Sequence, residues 1–154
     1  MTAPNLKDFT GETLLNDEGK PVSLADFVGK RVLLFVFPRA ATPGCTQQAC
    51  GFRDAFPKIA ESRAVVLGLS TDEPKTLAKW KAREKLPYML LSDPDHKTID
   101  RLGAWGERSL YGKKFMGTIR SHFVFGVDGA AEEAAVKISP KDSVAQGVAA
   151  LTRP

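Results

Sequence analysis

Cys45 and Cys50 are the only sulfhydryl side chains in this 154-residue chain, and they stand five positions apart in TPGCTQQAC, just after an apolar run. Four uses compete for such a pair: redox chemistry, a share in a metal site, a structural bridge, or two small core residues. A bridge gains little, because so short a loop constrains the unfolded chain only weakly. A metal site lacks ligands. Two cysteines with His96 and His122 far off in sequence make no zinc spacing, and the four-residue gap of a plant-type iron–sulfur site needs further cysteines. The expectation is therefore no metal and no cofactor. Buried cysteine is common on helices, so a core role stays open, for Cys50 more than for Cys45.

Position separates the two thiols. Thr42 is a candidate N-cap and Pro43 suits a first helical position, which puts Cys45 in the first turn of a helix. Unpaired backbone N–H groups and the positive end of the helix dipole favour a thiolate there. Cys50 lies a turn and a half further on, where helix geometry separates the two Cα atoms by roughly 8 to 9 Å, beyond the roughly 7 Å that a disulfide spans. A bridge between them requires local unwinding. The C-x4-C gap, wider than the C-x2-C of a dithiol exchanger, suits sulfurs that act at different times. One attacks an oxidant such as a peroxide and becomes a sulfenic acid; the other condenses with it to a disulfide, which an external dithiol reduces.

The elements that must hold these residues alternate between strand and helix, the pattern of an α/β fold. Thr13–Leu15 and Pro21–Ser23 flank the turn signal NDEGK as a small hairpin, with SLADF after it as a helical turn. RVLLFVF (31–37) is apolar on both faces, as a central strand must be. A helix over about 43–60 follows, then a strand at 64–70, a helix over about 73–85 opened by capping candidates in STD, a short strand in YMLLSD and a short helix in HKTIDRLG. Few periodic signals mark 103–117, which reads as loop; TIRSHFVFGV and EEAAVKI flank the hairpin signal Asp128-Gly129, and Ser139-Pro140 opens a last helix to about Leu151. This order is that of a thioredoxin-like fold, a central mixed sheet flanked by helices, with an N-terminal β-hairpin extension.

Composition bounds the rest. An apolar fraction of 43% and a charged fraction of 26% fit a globular chain, and residues 1–154 suit one domain. The longest apolar run, Val32 to Phe37, is too short to span a bilayer, and MTAPNLKDFTGETLL lacks the basic head and apolar stretch of a secretory signal, so no membrane partner and a cytoplasmic location are expected. The net charge of +4 is spread along the chain; its densest stretch, Lys75 to Lys85, reads as a solvated helix face, so no nucleic-acid partner is expected.

Pro38, Thr42 and Cys45 in PRAATPGC match the pattern P-x-x-x-T-x-x-C of the peroxiredoxins, and TPGCTQQACGFRD resembles the peroxiredoxin Q group, also called bacterioferritin comigratory protein. DFTGETLLNDEGKPVSLADFVGK, VVLGLSTDEPKTLAKW, LPYMLLSDPD, WGERSLYGKKFMGTIRS and FVFGVDG resemble that group in the same order, across nearly the whole chain. The resemblance implies a thiol peroxidase for hydrogen peroxide and organic hydroperoxides, with Cys45 peroxidatic, Cys50 resolving, and a thioredoxin-like protein as reductant. It implies a peroxide site of Cys45, Thr42 and Arg120 in TIRSHF, shielded by Pro38, with the Thr42 hydroxyl and the Cys45 N–H as donors to the peroxide oxygens, and it favours a monomer. The group commonly has charged or polar residues where this chain has Arg39, Ala40 and Ala41, and a threonine where it has His122. His122 reads as a strand-face residue, His96 as a helix start, Trp80 as part of an amphipathic helix, and Trp105 and Tyr111 as loop aromatics able to cover the site or meet a reductant. Two other readings of the scaffold are a dithiol-disulfide oxidoreductase, which would exchange with protein disulfides and consume little peroxide, and a redox-sensing module that binds a partner in one oxidation state.

Overall fold

An unbroken apolar strand is stable only where both its faces are covered, and β3 (Val32–Val36), buried at every residue, lies inside a seven-stranded mixed sheet. The computed structural model from which this architecture is taken describes residues 4–152. Across the sheet the strands run β2 (Pro21–Val22), β1 (Leu14–Asn16), β5 (Met89–Ser92), β4 (Val65–Ser70), β3, β8 (Ser121–Phe125) and β9 (Ala131–Val136). The neighbours β3, β4 and β5 are parallel; β1, β8 and β9 join antiparallel to them or to each other.

Alternation along β3 divides the core. Leu33 and Phe35 face α1 (Pro43–Asp54), α2 (Phe56–Glu61), α3 (Pro74–Glu84) and α5 (Pro140–Thr152), while Val32, Leu34 and Val36 face the short 3-10 turns Leu6–Phe9 and Leu24–Phe27 and α4 (Lys97–Arg101). Under α1 the Phe35 ring meets those of Phe37, Phe52 and Tyr88 with centroids 5.5, 5.2 and 5.6 Å apart, a stiff aromatic floor for the helix. The hairpin turn before β9 carries Gly129 at φ 89°, where a Cβ would also come within 2.8 Å of Asn5 Oδ1, so glycine is required on both counts. Among the described residues no helix is long and apolar enough to cross a membrane.

Three local expectations change. The helix expected over about 43–60 is two helices, α1 and α2, broken at Ala55. Pro57 has no N–H to give the Arg53 carbonyl four residues back, so the first helix cannot run through it. The expected loop over 103–117 is largely a hairpin, β6 (Trp105–Leu110) paired with β7 (Lys113–Thr118). Its turn, Tyr111 at φ 52° and Gly112 at φ 78°, places two positive-φ residues between the strands, as a two-residue hairpin turn demands. Finally, α3 starts with Glu73 as N-cap and no side chain caps it, so Ser70, Thr71 and Asp72 are free for other partners.

Candidate active site

The carboxyl ends of strands in open α/β sheets collect ligands, and β3 delivers the chain there into the loop 38–42 and the start of α1. Two contacts from the end of β4 shape that loop. The Ala40 N–H donates to Asp72 Oδ2 at 2.8 Å, and the Ser70 hydroxyl donates to the same oxygen at 2.8 Å. Ala41 follows at φ 68°, a left-handed conformation that costs an alanine on the order of 1 kcal/mol and persists because its neighbours are pinned.

Thr42 holds the N-cap position with extended backbone, yet its side chain does not cap the helix. Its hydroxyl donates back to the Arg39 carbonyl at 2.7 Å. The expected Thr42 cap bond is thus replaced, with two consequences. The N–H groups of Gly44 and Cys45, which have no acceptor inside the helix, are not taken up by Thr42. The Thr42 oxygen, its proton spent on Arg39, meets the cleft as an acceptor rather than the donor that the resemblance suggested.

Cys45 sits in the first turn of α1 as expected, 1% exposed, at the base of a cleft of about 520 Å³ whose walls include Pro38, Thr42, Trp105, Phe115 and Arg120. Arg120 lies just ahead of β8 rather than inside it, and its Nη1 is 3.5 Å from Cys45 Sγ and 2.9 Å from Gln48 Oε1. Pro38, Thr42, Cys45 and Arg120 therefore meet in one cleft. Its outer wall is the β6–β7 hairpin that the sequence reading left as loop. Trp105 lines the cleft and stacks on His96 at 3.7 Å, whereas Tyr111 is 96% exposed at the hairpin tip and covers nothing. Among the described residues no group of three or more His, Cys, Asp or Glu side chains could hold a metal.

Gly44 leaves room for the arginine. A Cβ at that position would stand 2.9 Å from Arg120 Nη2, so Gly44→Ala must shift the guanidinium while improving helix propensity by about 1 kcal/mol. The expected outcome is a melting temperature that holds or rises together with an oxidation of the Cys45 sulfur about tenfold slower, short of the roughly hundredfold loss of a 1 Å misplacement. Thermal melts and single-turnover rates on the same variant check it.

Cys50 is apart from the cleft, half-buried on the face of α1 that meets α3, with Sγ 3.8 Å from Glu84 Oε1. Burial, and then the Glu84 carboxylate, push its thiol up from the ordinary value against the opposing pull of Arg53, so at neutral pH it rests as a thiol. Both cysteines are free, on an intact helix that turns them to different sides. Three side chains pin that helix: Trp80 Nε1 donates to Thr46 Oγ1 at 3.3 Å, the Tyr88 hydroxyl to the Ala49 carbonyl at 2.6 Å, and Arg53 Nη1 to the Glu84 carbonyl at 2.7 Å.

Sequence reasoning missed Asp72, taken for a cap candidate, and Gln48. The signal for Gln48 was present: three residues after Cys45, it shares that residue's helix face.

Comparison with known proteins agrees with this geometry. Residues 3–133 match the AhpC/TSA family. The chain is 43% identical over 120 residues to peroxiredoxin Bcp of Escherichia coli strain K12, covering 78% of this chain and 77% of that one. The fold superposes on peroxidoxin BcpB of Mycobacterium tuberculosis with a TM-score of 0.80 at 32% identity, over 99% of this chain and 94% of that one. It also superposes on the Xanthomonas campestris bacterioferritin comigratory protein, studied for alkyl peroxide reduction, with a TM-score of 0.88 at 24% identity over 96% and 94% of the two chains.

Proposed function

The chain belongs to the AhpC/TSA family, as a peroxiredoxin of the Bcp type, and from that premise we propose how its residues divide the work of a thiol peroxidase. The observation that carries the assignment is the buried Cys45 sulfur 3.5 Å from Arg120 Nη1 at the base of the cleft. The Cys45 thiolate attacks the terminal oxygen of a hydroperoxide; the S–O bond forms as the O–O bond breaks, leaving Cys45 as sulfenic acid and an alkoxide or hydroxide that takes a proton from solvent. The Arg120 guanidinium and the Cys45 N–H donate to the peroxide oxygens as negative charge passes from sulfur to the leaving oxygen. The Thr42 oxygen accepts the O–H of the incoming peroxide, and Pro38 helps to keep water off the sulfur.

Cys50 then attacks the sulfenic sulfur, releasing water and leaving a Cys45–Cys50 disulfide. Since the two Cα atoms are roughly 8 to 9 Å apart on intact helix, this step unwinds part of α1. Until then Cys50 is stored as a thiol beside Glu84, a form that reacts poorly with oxidants. A thiol reductant returns the two electrons, and a thioredoxin-like dithiol protein suits a disulfide exposed by unwinding. Having both sulfurs on one helix supports a cycle completed within a monomer, and free thiols suit the reducing cytoplasm. Two core clusters on one sheet support residues 1–154 as one domain.

Thiol counting after one equivalent of hydrogen peroxide tests the division of labour. Wild type is expected to lose both thiols without a trappable intermediate, and Cys50→Ser to lose one and yield a sulfenic acid captured by dimedone. A Cys50→Ser protein that resists over-oxidation as well as wild type would remove Cys50 from the cycle. Little peroxide use with rapid exchange against a protein disulfide would favour the dithiol exchanger.

A further inference from the structure

Behind the cleft a continuous file of hydrogen bonds runs from Arg120 through the interior to the far edge of the sheet. Gln48 on α1, Ser143 on α5 and His122 on β8 are each 0% exposed. Arg120 Nη1 is 2.9 Å from Gln48 Oε1, Gln48 Nε2 is 2.9 Å from Ser143 Oγ, Ser143 Oγ is 2.9 Å from His122 Nδ1, and His122 Nε2 is 2.7 Å from Glu133 Oε2 on β9.

The Arg120 end of this file fixes the direction of its first two bonds. A guanidinium only donates, so Gln48 must turn its carbonyl to Arg120 and its NH2 to Ser143. Ser143 Oγ then accepts from Gln48 and bonds His122 Nδ1 with its remaining capacity, and His122 Nε2 closes the file on the Glu133 carboxylate. Turning the Gln48 amide over would set two donors against each other at Arg120.

We propose that Gln48, Ser143, His122 and Glu133 are positioning residues for Arg120, a buried relay that holds the Gln48 carbonyl on the guanidinium beside Cys45. The inference rests on the proposed role of Arg120 in peroxide reduction. Two features argue for it. Without the Ser143 acceptor the buried Gln48 NH2 loses its partner, and the side chain is free to swing its carbonyl away and release the guanidinium from its place beside the sulfur. The relay also keeps the countercharge at a distance. A carboxylate in place of the Gln48 amide would offset the charge of Arg120 next to the reacting atoms, whereas here the nearest anion of the file stands beyond Gln48, Ser143 and His122.

The test has a spectroscopic arm and a kinetic arm. In the reduced protein, ring nitrogen NMR is expected to show a His122 Nδ1 signal that moves in Ser143→Ala and in Gln48→Ala; a signal that ignores both changes overturns the relay. In single turnovers, Ser143→Ala and His122→Phe are each expected to slow oxidation by hydrogen peroxide about tenfold, the worth of one hydrogen bond, and the double variant no more than the slower single. Reduction of the oxidised protein by dithiothreitol, a step without Arg120, is expected to be unchanged. Equal slowing of both steps would mean a loosened fold and would overturn the proposal. Arg120→Met is the reference: if it slows oxidation and the relay variants do not, the relay is wrong; if Arg120→Met itself oxidises at the wild-type rate, the role of Arg120 fails and the relay with it. Should His122→Phe not fold, Ser143→Ala, which removes a single oxygen, carries the kinetic arm alone.

Discussion

With Cys45 changed to serine, the protein is expected to consume hydrogen peroxide no faster than buffer does. The substitution is nearly isosteric, so α1 and its contacts remain and the far-UV circular dichroism spectrum should match wild type. Only the nucleophile changes. A serine hydroxyl is almost wholly protonated at neutral pH, and nothing in the cleft can take its proton: its lining carries no histidine or carboxylate, and His122 is buried behind Gln48 and Ser143 with both ring nitrogens engaged. Cys50 cannot substitute, because it rests as a thiol on another face of the helix. Residual peroxide consumption above background in Cys45→Ser would place the first oxidation on Cys50 and reverse the proposed order of the two sulfurs.

The second large effect is that of Arg120→Met, for which oxidation of Cys45 is expected to fall by about 10² to 10³, the loss seen when one preorganised donor is taken from a charge-stabilising site. Thiolate supply alone accounts for only a small part of the acceleration. Lowering a cysteine pKa from about 8.5 to about 6 raises the thiolate fraction at pH 7 only about thirtyfold, and part of that gain is returned because nucleophilicity falls with basicity. The remaining acceleration has to come from groups that act on the leaving oxygen. Arg120→Lys is expected to recover only part of the loss, since an ammonium keeps the charge on a single nitrogen, whereas the guanidinium holds Cys45 and Gln48 with Nη1 and still carries its Nη2 donors in a fixed plane. Stopped-flow fluorescence can follow these rates: Trp105 lines the cleft, and Trp80 is bonded to α1 through Thr46. Equal rates for Arg120→Met and wild type would show that the guanidinium does not act on the reacting atoms.

The sequence made the frame of this site readable wherever the physical cause was local. The two-faced apolar run gave β3, Thr42-Pro43 gave the helix start that holds Cys45, and Asp128-Gly129 gave the hairpin before β9. It hid what depends on distant partners or weak patterning. The β6–β7 hairpin is mostly exposed, so its strands carry little apolar alternation, and its turn uses Tyr111-Gly112 rather than the asparagine or aspartate that usually announces such a turn. Asp72 resembled a helix cap because its neighbours are Ser70 and Thr71, while its real partner, the Ala40 N–H, is brought to it only when β3 and β4 align. Sequence reasoning passed over Gln48 and Ser143. Their full burial and their bond to each other arise from helix packing, which no window along the chain contains.

The three pins on α1, from Trp80, Tyr88 and Arg53, also bear on the redox poise of the enzyme. A disulfide between Cys45 and Cys50 has to hold open a helix that its own surroundings favour closed, so the refolding of α1 adds to the driving force for reduction. For a two-electron couple, each 1.4 kcal/mol of that refolding moves the potential by about 30 mV towards the oxidising side. In the proposed cycle the helix that opens to let Cys50 resolve the sulfenic acid is thereby also the element that makes the resulting disulfide a willing electron acceptor, and it returns the site to its peroxide-ready form once the electrons arrive.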